Sequence, residues 1–150
     1  MMTATKGNVA EATVLAVFVD LGFEVSVPFG SGQPYDLVVD LGDVFMRVQC
    51  KTAWLDKKCV EFNSKSTDHG RGCQSYLGVA DAFGVYFPPS KSVFLVPVVD
   101  IPGRRGRLRL EPARNNQRKK VRIAADYALE RWSADALRRI CRESRILGDA

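Results

Sequence analysis

Pro34-Tyr35-Asp36-Leu37-Val38-Val39-Asp40-Leu41-Gly42-Asp43-Val44-Phe45-Met46-Arg47-Val48-Gln49-Cys50-Lys51 reads as two apolar strands folded over a turn, with the chemistry at its two ends. Leu41-Gly42-Asp43 supplies the turn, so residues 35–41 pair with residues 44–51 in a hairpin. Alternation puts Val44, Met46, Val48 and Cys50 on one face and Phe45, Arg47, Gln49 and Lys51 on the other. Gln49 and Lys51 then stand about 6.6 Å apart, at roughly 3.3 Å of rise per residue. The neighbouring strand, about 4.8 Å away, brings Asp36 up beside them. Two oxygen donors and an ammonium at one spot suit a hard divalent cation next to a negatively charged ligand. A plain Lys–Asp ion pair is the competing reading, and the surrounding residues decide between the two.

Residues 8–21 have helical periodicity, with Asn8 as N-cap and Gly22 at the end. Counting three, four and seven from Glu11 gives Val14, Leu15 and Phe18, so Glu11 lies on the stripe that faces the core. An unpaired buried charge costs several kcal/mol, so this carboxylate needs a partner. That partner is either a lysine in an ordinary buried pair or the Asp36 and Lys51 cluster, with Glu11 as a metal ligand or orienter. Phe23, Val25, Val27 and Phe29 alternate with polar residues and Pro28, which predicts a strand. Gly30-Ser31-Gly32-Gln33 then forms a loop leading to Asp36, in which small residues let backbone amides approach a phosphate at Ser31, Gly32 and Gln33.

Pro34 with Asp36, followed by Gln49-Cys50-Lys51, resembles the PD-(D/E)XK nuclease superfamily, whose core strands carry proline-x-aspartate and then acid-x-lysine. The departure is Gln49, where a carboxylate is usual; an amide oxygen still binds a hard cation but brings no charge. The likeness runs from Lys6-Gly7-Asn8 through Glu11 to Leu108-Arg109-Leu110-Glu111-Pro112, Asn115-Asn116-Gln117 and Asp126-Tyr127. Over most of its length the chain resembles the group I intron-encoded homing endonucleases of that superfamily, in which glutamine is also found at this position. A first-helix glutamate also occurs in the superfamily's archaeal Holliday-junction resolvases. The resemblance implies an α/β (α+β) fold with one PD-(D/E)XK core: a mixed central sheet flanked by helices, additional DNA-binding strands and a C-terminal helix. It implies Glu11, Asp36, Gln49 and Lys51 as catalytic residues. Mg²⁺, replaceable by Mn²⁺, would be held by Asp36, Gln49, Glu11 and the Cys50 carbonyl. The expected reaction is phosphodiester hydrolysis leaving 5′-phosphate and 3′-hydroxyl ends.

The chain carries 22 Lys and Arg against 17 Asp and Glu, a formal net charge of +5. Residues 101–145 hold 14 of the cations and 5 of the acids, a balance of +9, leaving 8 against 12, or −4, elsewhere. A basic stretch beside an acidic pocket suits a phosphate-tracking surface next to a metal site, and double-stranded DNA is the expected partner. Its candidate contacts are the alternating Arg104, Arg105 and Arg107, the amides Asn115, Asn116 and Gln117, and Lys65 and Arg71 in a polar stretch, residues 63–75, read as a mobile loop. Residues 83–87 and 92–99 read as two further strands across Pro88-Pro89, and Ser133 can cap a final helix.

With 150 residues and 46% hydrophobic content, a single domain spanning 1–150 is expected. No apolar stretch approaches 20 residues and no leader is seen, which predicts an intracellular, cytoplasmic protein with no membrane association. Cys50, Cys59, Cys73 and Cys141 show no CxxC spacing, and with one histidine no Cys/His zinc framework is available. Cys50 falls on the apolar face, where a thiol is inert packing. One chain offers one active site, so a double-strand cut requires a homo-oligomer, a dimer or a tetramer. Two other readings share these residues. A junction resolvase would prefer four-way junctions, and an inactive DNA-binding protein would bind without cutting.

Overall fold

The computed structural model describes residues 2–30, 32–68, 72–112 and 121–148. Helix α1 (Thr3–Asp20) buries Ala10, Val14 and Phe18, the four-residue spacing of a single helix face. Its N-cap is Met2 rather than Asn8, and the Met2 carbonyl accepts the Lys6 N–H at 3.1 Å. Gly7 and Asn8 therefore sit inside the helix. Each lowers helix propensity by up to about 1 kcal/mol, too little to stop a helix whose other turns are anchored in the core. Gly22, at φ +93°, ends the helix in the left-handed region that glycine adopts without strain.

Among the described residues, ten strands and a second α-helix follow. They are β1 (Glu24–Ser26), β2 (Leu37–Asp40), β3 (Phe45–Thr52), β4 (Trp54–Asp56), β5 (Cys59–Asn63), β6 (Lys65–Asp68), β7 (Gly72–Ser75), β8 (Ala82–Phe87), β9 (Ser92–Pro97), β10 (Arg105–Arg109) and α2 (Ala134–Gly148). The central sheet runs β1-β2-β3-β8-β9, with β3 and β8 parallel and every other pair antiparallel, so it is mixed as expected. β4, β5 and β10 form a second, three-stranded sheet. Parallel neighbours need a long crossover, usually helical; here it is built from β4 to β7.

Both helices lie on one face of the central sheet. Val14 and Phe18 of α1 and Leu137, Ile140 and Cys141 of α2 pack with Val39, Val48 and Leu95. α1 comes so close that a Cβ at Gly84 would stand 2.7 Å from Val14 Cγ1, so only glycine fits under the helix. The other face carries Phe83, Val85 and Val96, which meet Val60, Phe62 and Leu108 of the second sheet together with Tyr76. At α2, Ser133 caps as anticipated, its Oγ accepting the Ala136 N–H at 3.1 Å.

Two further expectations need correction. The alternation across residues 23–29 yields only the three residues of β1, because Val27 and Phe29 find no sheet to face and stay exposed. Residues 63–75 are largely an antiparallel hairpin, β6 on β7, rather than a loop; its polar residues carry no core-facing alternation, so nothing in the pattern marks a strand. Arg47 shares the face of Gln49 and Lys51, as the alternation predicts, and engages a partner of its own. It grips Asp81, which is fully buried, through its backbone N–H at 2.8 Å and its guanidinium at 3.0 and 3.1 Å, and Arg145 approaches the same carboxylate at 3.6 Å.

Candidate active site

The hairpin positions the site through a length mismatch. β2 has four residues and β3 eight, and their ladder spans only Leu37↔Val48 to Asp40↔Phe45. Gln49 to Thr52 therefore keep β8 on one side and present an open edge on the other. Asp36 stands where β2 begins. Its N–H donates to the Val48 carbonyl at 2.8 Å, and its Oδ2 accepts the Cys50 N–H at 2.8 Å. The carboxylate thus takes the place of a missing strand carbonyl, which fixes it against the backbone beside Gln49 and Lys51.

Glu11 reaches this point from the helical layer. Its carboxyl hydrogen-bonds Asp36 and its pKa is raised to about 7, first by burial, then by that hydrogen bond and by the Asp36 charge. With a pKa of about 7 the Glu11 carboxyl is only partly ionised at neutral pH, a crowding that a divalent cation relieves. Lys51 approaches from the opposite face. Burial lowers the pKa of its ammonium, against the pull of Asp36, yet no ion pair within 4.0 Å joins the two, so the plain salt bridge is not what the fold builds. Instead Lys51 Nζ donates to the Tyr76 hydroxyl at 3.1 Å. Cys50 keeps its thiol in the core with a strongly raised pKa, caused first by burial and then by Asp36 and Glu11, which leaves it unreactive.

Two clefts meet at Gly32 and Gln33. One, about 260 Å³, is lined by Glu11, Asp36, Tyr35 and Gly30; the other, about 510 Å³, by Gln49, Gln74, Ser66 and Tyr76. Gly30 (φ +87°) and Gly32 (φ +90°) both need the left-handed region, so glycine is what lets the loop fold between the clefts. Among the described residues, no three His, Cys, Asp or Glu side chains converge on one point. Protein ligands beyond the two carboxylates would have to come from an amide or from backbone carbonyls, with water filling the rest of a coordination sphere.

The structure thus brings Glu11 and Asp36 together, sets Lys51 within electrostatic reach of Asp36 and opens Gln49 onto the adjoining cleft. Gln74 and Tyr76 were not anticipated. Gln74 lies in the stretch read as a loop and Tyr76 just after it, where a lone tyrosine beside polar residues gives no periodic signal. Of the nucleic-acid candidates, Gly32 and Gln33 border both clefts, and Lys65 is half-buried on β6. Arg104, Arg105 and Arg107 are exposed at β10, away from the core. β10 is an ordered edge of the second sheet, and its arginines are partly neutralised: Glu61 pairs with Arg105 at 3.3 Å and Arg107 at 3.1 Å, and Asp56 with Arg107 at 3.3 Å. Trp54 stacks under Arg105 at 5.2 Å. Ser31, Arg71, Asn115, Asn116 and Gln117 lie outside the described residues.

A carboxylate pair at the open end of a hairpin, a lysine two residues past the strand glutamine and a mixed sheet backed by helices define a nuclease core. The family model for PD-(D/E)XK endonucleases matches residues 1–130, and the chain belongs to that family. Among solved structures it is similar to a bacterial homing endonuclease, I-Ssp6803I, with a TM-score of 0.70 and 21% identity over 95% of this chain and 99% of that one. At that identity the likeness is one of fold. No curated protein sequence matches the chain. No helix among the described residues is long and apolar enough to cross a membrane.

Proposed function

We propose that the protein is a metal-dependent DNA endonuclease of the homing type, which hydrolyses both strands of a duplex at a specific site. The observation that carries the reading is the Glu11–Asp36 pair, in which burial and the Asp36 charge raise the Glu11 pKa while the Cys50 N–H holds Asp36 at the open end of the hairpin that carries Lys51. The donor set fits Mg²⁺, with Mn²⁺ as a substitute: hard oxygens from Asp36, Glu11, the Gln49 side chain and the Cys50 carbonyl would hold it. When bound, the cation supplies Lewis acidity toward a phosphate oxygen and makes water a better nucleophile.

This chain's own residues do the rest. Asp36 is held in place by the Cys50 N–H, so it needs no reorganisation when substrate arrives. Glu11 gives up its proton near neutral pH and adds a second negative charge to the ligand set. Lys51, partly desolvated, offers an ammonium to charge developing on the phosphate. Gly32 and Gln33 lie between the clefts along which the backbone of DNA would pass, and Ser31, Lys65, Arg71, Arg104, Arg105 and Arg107 would supply phosphate contacts. Asn115, Asn116 and Gln117 would read base edges. One chain carries one such site, so cutting both strands takes two copies or more. Homing is favoured by the fold shared with I-Ssp6803I, itself described as a bacterial homing endonuclease, while a group I intron setting is what the sequence resemblance implies.

The test is to incubate the protein with Mg²⁺ and a plasmid bearing candidate intron-insertion sites, with a synthetic four-way junction alongside, and to sequence the ends. Cutting at one locus with 5′-phosphate and 3′-hydroxyl ends is the expected result. Cutting confined to the junction, or tight binding with no cutting, contradicts it.

A further inference from the structure

Tyr76 sits just beyond β7, on a turn that its own carbonyl holds by accepting the N–H groups of Val79 and Ala80 at 3.1 and 3.0 Å. Its ring packs edge-on against Phe83, with centroids 5.6 Å apart and planes at 90°, and the residue is only 6% exposed. The ring is therefore part of the core. A tyrosine buried this far needs a partner for its hydroxyl. That partner is Lys51, whose Nζ donates to Tyr76 Oη at 3.1 Å and stands 4.7 Å from the ring centroid. Among the described residues no other side chain hydrogen-bonds Lys51.

We infer that Tyr76 is the positioning residue for Lys51, fixing the ammonium at the open edge of β3 through its hydroxyl oxygen and its ring. The inference rests on reading Lys51 as the lysine of the nuclease site. A lysine side chain has four rotatable bonds and carries about 2 kcal/mol of rotamer entropy, which is lost on engaging a phosphate unless the side chain is already held. A partly desolvated ammonium also needs substitutes for the water it has given up, and the phenol oxygen with the ring face supplies them. The geometry suits holding rather than competing. Tyr76 keeps its proton, because burial and then the Asp36 charge raise its pKa, so it stays a neutral acceptor and leaves the charge of Lys51 intact. Tyr76 and Gln49 line the same cleft, so the held ammonium lies next to the proposed ligand rather than behind the core.

Tyr76→Phe removes the oxygen and keeps the ring, and Tyr76→Leu removes both. Single-turnover cleavage with Mg²⁺, duplex affinity in EDTA and the Lys51 Nζ ¹H–¹⁵N signal together test the role. Tyr76→Phe is expected to slow cleavage about tenfold to a hundredfold while affinity changes less than about twofold, since a hydrogen bond to a charged group is being removed from the reacting centre alone. Tyr76→Leu should be slower still. The Lys51 signal, protected from water exchange in the parent protein, should broaden away in Tyr76→Phe. Unchanged cleavage in Tyr76→Phe overturns the inference, as does an unchanged Lys51 signal. If the parent protein cuts no DNA yet its Lys51 signal behaves as stated, the endonuclease reading has failed and the Tyr76 hold on Lys51 stands. Cleavage by the parent with no Tyr76 effect has the opposite meaning.

Discussion

Replacing Glu11 with glutamine substitutes a neutral amide of the same shape for a carboxyl that the fold crowds against Asp36. The pKa of Glu11 rises from 4.5 to about 7, with burial the largest cause and Asp36 the next. A carboxyl raised in this way binds its proton more tightly folded than unfolded. The native state therefore loses stability as pH climbs from 4.5 through 7, and above 7 the whole penalty is present. At 1.36 kcal/mol per pKa unit the shift corresponds to an upper bound of about 3 kcal/mol, and partial exposure screens that to about 1 kcal/mol. For a chain of this size, 1 kcal/mol moves Tm by roughly 3 °C. Thermal melts in EDTA should then show Glu11→Gln more stable than the parent by about that much at pH 8.5, with the advantage largely gone at pH 5. Adding Mg²⁺ at pH 8.5 should raise the Tm of the parent more than that of the variant, because the cation relieves a repulsion the variant lacks. A variant equal to the parent in EDTA at pH 8.5, or stabilised by the same amount at pH 5, would mean that the two carboxyls are not crowded and that the reasoning for a cation here is wrong.

Reversing Arg104, Arg105 and Arg107 together should weaken binding to every duplex sequence and flatten the dependence of log affinity on log salt by about 0.9 per lost phosphate contact. Because Glu61 and Asp56 already partner two of these arginines, less than the full three contacts should be lost, and an unchanged slope in a salt titration would place the DNA elsewhere. Gln49→Glu should retain cleavage or shift its metal preference, whereas Gln49→Ala should lose most of it; indifference to both makes Gln49 a bystander. Asp81→Asn strips the charge from a carboxylate that is 0% exposed, leaving Arg47 half-buried and unneutralised. About 3–5 kcal/mol of stability should go, seen as a fall of roughly 10 °C in Tm, and a melt within 2–3 °C of the parent would deny the pair its structural role.

The hairpin was legible in the sequence because two apolar alternations flank Leu41-Gly42-Asp43, and alternation alone then placed Gln49 and Lys51 on one face. Glu11 was legible for the same kind of reason, as a charge on an apolar stripe, and Ser133 as a cap ahead of a periodic run. The parallel pairing of β3 with β8 was not. It joins segments more than 30 positions apart, such as Val48 and Ala82, and no local pattern encodes it. The same pairing sets Phe83 beside Gln49, so the Phe83–Tyr76 contact that brings the phenol to Lys51 also depends on it. Asp81 carries no local signal, since the partners that make its burial tolerable are Arg47 and Arg145, residues distant in the chain. The acidic partners of β10 were hidden likewise: Glu61 sits in an apolar strand, and only the antiparallel register with Arg107 shows what it neutralises.

The most direct test of the central claim is end mapping of duplex DNA treated with Mg²⁺ and either the parent protein or Asp36→Ala. The account predicts that the parent leaves 5′-phosphate and 3′-hydroxyl ends at one site on each strand. Asp36→Ala should bind the same duplex with affinity within a few-fold of the parent and cut at least a hundredfold more slowly, because the lost carboxylate organises the charge at the reacting phosphate. Parent-level cutting by Asp36→Ala, or cutting by the parent that EDTA leaves untouched, would contradict it.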